Sequence, residues 1–305
     1  RVLFRSIPAA SGFTSTNVNI GSMQNTGVEL NLTSRKHFSS GFYYDAYANW
    51  SLNRNKVLHL GNEDAPIIKS SSYTGANYIT MVGQPVGCYY LLVQDGIFHN
   101  QEELDSYPHF STTKVGDFRF IDVDGDGVLD KDNDRAIVGN YMPDFYYGFG
   151  FTIGYKGFDL SAAFQGVYGN EILNLERRYL CNMEASSNMM SLSLERFPYG
   201  ELNRATRKST GNNGSSTSTF HLEDGSYLRL QNLSIGYTFP KKWISRIKMS
   251  NLRIYIQGNN LFTLTHYTGY NPEVNRRPSD ALTPGEDYCS YPLSRTFTFG
   301  INFNL

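Results

Sequence analysis

The stretch that decides the fold is Arg295-Thr296-Phe297-Thr298-Phe299-Gly300-Ile301-Asn302-Phe303-Asn304-Leu305. Phe297, Phe299, Ile301, Phe303 and Leu305 share one parity, and Thr296, Thr298, Gly300, Asn302 and Asn304 share the other. Side chains of an extended strand alternate between its two faces, so this segment has one wholly apolar face and one small or polar face. The apolar face must be covered, either by a second sheet or by lipid.

Working outward from this stretch, the same alternation recurs in Gly27 to Lys36, Phe42 to Asn53, Asp144 to Tyr155, Phe158 to Tyr168, Tyr227 to Phe239 and Leu252 to Gly258. Most of these segments exceed the usual strand length and approach that of a tilted membrane strand. Their connections alternate in length. Lys36 to Gly41 and the two-residue Lys156-Gly157 turn are short, and Pro240 to Asn251 is moderate. Residues 54–143, 169–226 and 259–294 are long, polar and irregular. Outer-membrane barrels have short periplasmic turns and long external loops. If the terminal strand runs down to the periplasm, every short connection falls on that side and every long one outside. Val86 to Asp95 and Asp117 to Ile121 can be further strands, either in the main sheet or paired within the loop.

Composition narrows the alternatives. The chain has 305 residues with a formal net charge of -1, which gives no basic footprint for nucleic acid. It is rich in aromatics, with 22 Tyr and 20 Phe, yet no apolar run is long enough for a membrane helix. A strand-built membrane protein remains open, because alternating strands average out to polar. Cys88, Cys181 and Cys289 are widely spaced and read as idle or buried thiols. The sequence begins at Arg1 with no signal peptide and reads as part of something longer.

One motif carries definite chemistry. Asp122-Val123-Asp124-Gly125-Asp126-Gly127-Val128-Leu129-Asp130 places acids at positions 1, 3, 5 and 9 and a glycine at position 6 of an EF-hand-like loop. Alternate carboxylates converge there, and the carbonyl at Val128 supplies a further oxygen. The expected ligand is a structural Ca²⁺ held by Asp122, Asp124, Asp126, Val128, Asp130 and Asp134. The twelfth position, where a bidentate acid belongs, holds Asn133, and Asp134 follows one residue late. An Asp/Gly-rich solvated turn is the alternative.

Catalytic signatures are missing: there is no G-x-S-x-G, H-E-x-x-H, P-loop or dinucleotide fingerprint. His37, His59, His99, His109, His221 and His266 are scattered, and His221 before Glu223 reads as shaping the start of the strand at Tyr227. Arg207, Lys208, Arg276 and Arg277 read as loop solubility charges. Tyr73, Tyr78, Tyr107, Tyr199 and Tyr267 can stack on sugar rings, but tyrosine is too common here for that to discriminate. The expectation is that the chain is not an enzyme and binds no organic cofactor.

An ordered series of motifs carries a resemblance. Gly116-Asp117-Phe118-Arg119-Phe120 leads into the acidic loop, followed by Asp134 to Asn140, Tyr155-Lys156-Gly157-Phe158-Asp159-Leu160-Ser161 and Phe164-Gln165-Gly166-Val167-Tyr168-Gly169-Asn170. Then come Glu223 to Leu230, Gly258-Asn259-Asn260-Leu261-Phe262-Thr263, Gly269-Tyr270-Asn271-Pro272-Glu273 and Arg295 to Gly300. In this order they resemble the C-terminal part of a SusC/RagA-type TonB-linked outer-membrane transporter of Bacteroidota. The resemblance implies an all-β fold, an antiparallel transmembrane β-barrel of about 22 strands with a plugged lumen and long extracellular loops. Residues 1–305 would be the C-terminal part of one barrel domain, with the plug and the TonB box outside this chain. It also implies TonB-energised import of oligosaccharides, glycans or peptides, with a SusD-like surface lipoprotein, TonB and outer-membrane lipid as partners. A passive pore or adhesin, a soluble Ca²⁺-stabilised binding module and an outer-membrane hydrolase are the competing expectations.

Overall fold

A computed structural model describes residues 2–6, 15–19, 21–61, 63–71, 75–184, 203–208, 211–276 and 278–305. The strands β1 (Val2–Ser6) and β2 (Ser15–Asn19) pair with each other. Next come β3 (Gly21–His37) and β4 (Tyr43–Leu60). The first long connection holds β5 (Ile67–Ser70), β6 (Asn77–Thr80), β7 (Cys88–Leu92), β8 (Gln94–Ile97), helix α1 (Gln101–Ser106), β9 (Phe118–Phe120) and β10 (Arg135–Gly139). The hairpin β11 (Phe145–Tyr155) and β12 (Phe158–Tyr168) follows. Then come β13 (Glu171–Asn174), helix α2 (Leu175–Leu180), β14 (Leu222–Asp224) and β15 (Tyr227–Thr238). Helix α3 (Lys241–Ile244), β16 (Asn251–Thr265), β17 (Glu286–Asp287) and β18 (Thr296–Asn304) complete the order.

All seven strands anticipated from alternation meet in one antiparallel sheet, ordered β18-β16-β15-β12-β11-β4-β3. Its register puts like parity against like parity. Phe299, Ile256, Ile235, Leu160, Ile153 and Tyr44 lie opposite one another in a single row across the sheet. Because directly opposed residues share a face, the apolar parities of all these strands merge into one surface. That surface is uncovered: Phe299 is 80% exposed and Ile301 67%. On the other face the row runs Gly300, Tyr255, Gly236, Asp159, Gly154 and Tyr43. Glycine is required where rings lie flat over the neighbouring strand. A Cβ on Gly154 would sit 2.2 Å from the Tyr43 ring, and one on Gly300 2.2 Å from that of Tyr255. The Lys156-Gly157 turn has positive φ at both residues (49° and 91°), the twist that joins antiparallel strands tightly.

The expected fold class, part of an antiparallel transmembrane β-barrel, is corrected by this topology: the chain is all-β, but among the described residues no sheet is closed into a barrel. The sheet is open, since among the described residues β18 pairs only with β16 and β3 only with β4, so two edges stay apart. Among the described residues no helix is long and apolar enough to cross a membrane, which says nothing of strands.

The long connections differ from the irregular loops expected of them. The four-stranded sheet β10-β7-β6-β5, the pair β8-β9 and the three-stranded sheet β14-β13-β17 all lie within them. Val86 to Asp95 and Asp117 to Ile121 therefore pair inside the connection and not in the main sheet. The buried core is here too. Leu92, Phe118, Phe120, Leu129, Cys181 and Phe220 form one cluster, and Ala76, Tyr78, Tyr89, Leu91, Leu173 and Leu175 form another. Residues 259–265, expected in a loop, continue β16 beyond a bulge opposite Leu230 and Asn232. The bulge inserts extra residues and breaks the period that marks a strand in sequence.

Candidate functional site

The acidic loop leaves β9 and returns into β10, anchored by Leu129, which is buried in the first cluster. Within it the carboxylates of Asp122, Asp124 and Asp126 each bring an oxygen within 4.8 Å of the others. Asp122 is half-buried, and Asp124 and Asp126 are exposed. The backbone wraps them. Asp122 accepts from Gly125 N at 2.7 Å and Gly127 N at 2.9 Å, and Asp126 accepts from Val128 N at 2.8 Å. The Gly127 hydrogen bond is the main reason the Asp122 carboxyl lies below its ordinary pKa. Asp124 also accepts a hydrogen bond, from Asp126 N, which favours its charged form. Desolvation and the carboxylates of Asp126, Asp134 and Asp122 override that and raise it. A cation between these oxygens relieves that repulsion, so the cluster can hold one.

Of the remaining predicted ligands, Asp130 and Asp134 are engaged by the backbone. Asp130 accepts from Asp132 N and Asn133 N at 2.8 and 2.7 Å, closing a turn of its own. Asp134 is fully buried and accepts from Val123 N at 2.8 Å and Asp130 N at 2.6 Å. It staples the two ends of the loop together. Val128 is 62% exposed.

Behind the loop lies a buried polar assembly. Arg177 sits 3.4 Å from Glu223, with its guanidinium 4.5 Å from the centre of the Phe220 ring. Glu223 accepts from Asn174 Nδ2, Thr268 N and Thr268 Oγ1, each at 2.8 Å. His221 is fully buried, and its Nδ1 accepts from Ser218 N at 3.3 Å. Burial first, then the nearby Arg177 and Arg178, push its pKa down to about 3. It is a neutral structural histidine, consistent with its expected place before β15. Burial likewise pushes the Cys88 thiol up to about 11, so it is inert at neutral pH.

Sequence reasoning missed the second network. Arg229, 2% exposed, donates Nε to Thr263 Oγ1 at 3.0 Å and Nη2 to Asn271 Oδ1 at 2.9 Å, and its Nη1 pairs with Glu273. Tyr227 OH donates to the same Glu273 at 2.5 Å. The signal was present as the Tyr227-Leu228-Arg229 and Asn271-Pro272-Glu273 motifs, but nothing in sequence joins them. Arg276 likewise is no solubility charge: it lies 3.9 Å from buried Glu286, with its guanidinium 4.7 Å from the Tyr288 ring centre. Arg207 and Lys208 are exposed as expected. Tyr78 is buried, and Tyr267 is buried with its OH donating to Asp287 at 2.5 Å, so neither presents a stacking face to solvent. Tyr73, Tyr199 and Arg277 lie outside the described residues.

Comparison with known proteins gives a consistent result. The model of the family described as TonB dependent receptor-like, beta-barrel matches residues 3–261. TonB-dependent receptor P3 of Formosa agariphila is 32% identical over 98% of this chain and 30% of its own length. TonB-dependent receptor SusC of Bacteroides thetaiotaomicron is 23% identical over 97% of this chain and 28% of its own. The RagAB peptide importer in its open-open state shares the fold at a TM-score of 0.76, with 23% identity, over 100% of this chain and 31% of that one. The chain thus spans about three tenths of the length of the relatives it matches.

Proposed function

The chain belongs to the TonB-dependent receptor-like β-barrel family, a family of receptors and transporters and not of enzymes, and on that premise we propose that it is the C-terminal part of an outer-membrane importer. In this reading the whole protein takes up oligosaccharides, glycans or peptides. TonB supplies the energy, the plug and TonB-contacting segment lie elsewhere in the protein, and a SusD-like lipoprotein works with it at the cell surface. The observation that carries the reading is the family match over most of the chain. The uncovered apolar face of the main sheet supports it, because a surface so continuous belongs against lipid and not water. The acidic turn takes a Ca²⁺ ion as a structural brace on a connection that carries its own buried core. Outer-membrane placement follows the relatives and this apolar face.

Uptake measurement tests the proposal. Cells carrying the intact gene should accumulate labelled members of a peptide and glycan panel, and disruption of either this gene or TonB should abolish accumulation. Accumulation that persists without TonB would identify a passive pore and overturn the reading.

A further inference from the structure

Where the main sheet meets the second long connection, a cavity of about 480 Å³ opens between the ends of β12 and β15. Asp144, Glu171, Glu223 and Asp224 are in its lining, together with Asn170 and Ser226. The backbone here is fixed tightly: Gly225 N donates to Asn170 O at 2.8 Å, and Gly169 N to Ser226 Oγ at 2.9 Å. We propose that this cavity binds the ammonium or guanidinium group of an organic ligand.

Asp144 is offset at the rim by Arg54, 2.7 Å away. Glu223 also contributes to the wall, but its oxygens are taken by Asn174, Thr268 and Arg177. Glu171 and Asp224 are different, for no lysine or arginine among the described residues pairs with either. Glu171 Oε2 accepts from Asn140 N at 2.7 Å, leaving Oε1 without a donor among the described residues. Asp224 Oδ1 accepts only the short bond from Ser226 N at 2.8 Å. Burial of Glu171, together with the charges of Asp224 and Asp144, raises its pKa, which is the mark of a carboxylate lacking a countercharge.

A second observation is independent of charge. Asn170 is 5% exposed, yet its buried Oδ1 accepts no hydrogen bond among the described residues. A shielded amide oxygen without a donor has given up its water without replacement, so a donor from a bound ligand has a ready place. An N–H-bearing cation satisfies both the amide oxygen and the carboxylates. A bare metal ion fits less well. Among the described residues only Asp122, Asp124 and Asp126 draw three carboxylates close enough to cage one. The body of the ligand also has somewhere to rest. A neighbouring cavity of about 390 Å³ shares Asn170 and is walled by Tyr141, Tyr146, Tyr227 and Pro272.

The proposal deepens the importer reading, and rests on it only for the ligand being cargo. Two sources carry the required group, a peptide with a basic side chain and an amino sugar. Calorimetry on the intact receptor in detergent separates them. The probes are a Gly-Lys-Gly peptide against its Nε-acetyl form, and a glucosamine trimer against its N-acetyl form. One charged probe should bind at least about tenfold more tightly than its acetylated partner, as expected when a charge pair is made in a partly desolvated site. In Glu171→Gln/Asp224→Asn that ratio should fall to about one. Asp224→Asn alone, at an exposed position that leaves packing intact, should lower it by roughly threefold and decides the matter if the double variant does not fold. Equal binding of charged and acetylated probes in both series, no binding of either charged probe, or a ratio unchanged in the variants would overturn the proposal. Binding is read without transport, so its failure leaves the uptake reading standing, and loss of uptake leaves the cavity assignment standing.

Discussion

His221 gives the clearest consequence of a single side chain. Its pKa falls from an ordinary 6.5 to about 3 because burial and two arginines disfavour the imidazolium. Unfolding restores the ordinary value, so between those two pH values the unfolded chain binds a proton that the folded chain refuses. Stability is full above about pH 6.5 and declines as pH falls, by about 1.4 kcal/mol per unit. Thermal unfolding should therefore show a loss of roughly 2 kcal/mol between pH 7 and pH 5 that His221→Gln removes. Equal pH slopes in the two proteins would place the acid sensitivity in the carboxylates instead. Arg229 makes the complementary point, since its value lies in geometry more than charge. Its planar fork reaches Thr263, Asn271 and Glu273 at once, and lysine has no fork with which to do so.

At the scale of elements, the acidic turn is the part with a separable test. Titration of the purified receptor with Ca²⁺ should give saturable heat with a dissociation constant in the range of about 0.1–1 mM, typical of extracellular modules. Asp122→Asn/Asp124→Asn should abolish it, and removing Ca²⁺ should expose residues 122–134 to proteolysis. No saturable heat up to roughly 10 mM Ca²⁺ would leave the turn as a backbone-capped bend. The convergence of Asp122, Asp124 and Asp126 was legible because acids at alternate positions, with glycine to allow the sharp turn, bring their carboxylates toward one point. The part played by Asp134 was not, since its two oxygens go to the backbone at Val123 and Asp130, a choice set by folding and not by spacing. The same division holds across the sheet. Strands with unbroken period two, and the Lys156-Gly157 turn, could be read directly from the residues. The second half of β16 could not, because its bulge breaks the period, nor could β5, β6 and β10, which are too short to show one. The Arg229–Glu273 pair joins residues 44 apart, and no local pattern foretells it.

For the whole molecule, the distribution of apolar surface is inverted relative to a water-soluble sandwich. The large sheet leaves its apolar face open, while the connections enclose the tightly packed clusters. If lipid covers the sheet, Ile301→Arg should cost roughly 2–4 kcal/mol in unfolding from lipid vesicles, the penalty for a cation on a lipid-facing strand near the midplane. A cost under about 0.5 kcal/mol, the level usual for exposed surface positions, would mean that water covers this face. Among the described residues the sheet does not close into a barrel, because β3 pairs with β4 alone and β18 with β16 alone. The short pairing of β13 with β14 has a kinetic side. Glu171 lies opposite Asp224 and Leu173 opposite Leu222, immediately beyond the strands β12 and β15 that must find each other. Loop-closure entropy rises with the logarithm of the unpaired length, by about 0.6 kcal/mol per doubling. Once β13 and β14 have met, the chain separating Tyr168 from Tyr227 is no longer the whole of 169–226 but two residues on either side. A non-local strand pairing then becomes a local one, and the contact order that the search must overcome falls before the large sheet has begun to zip.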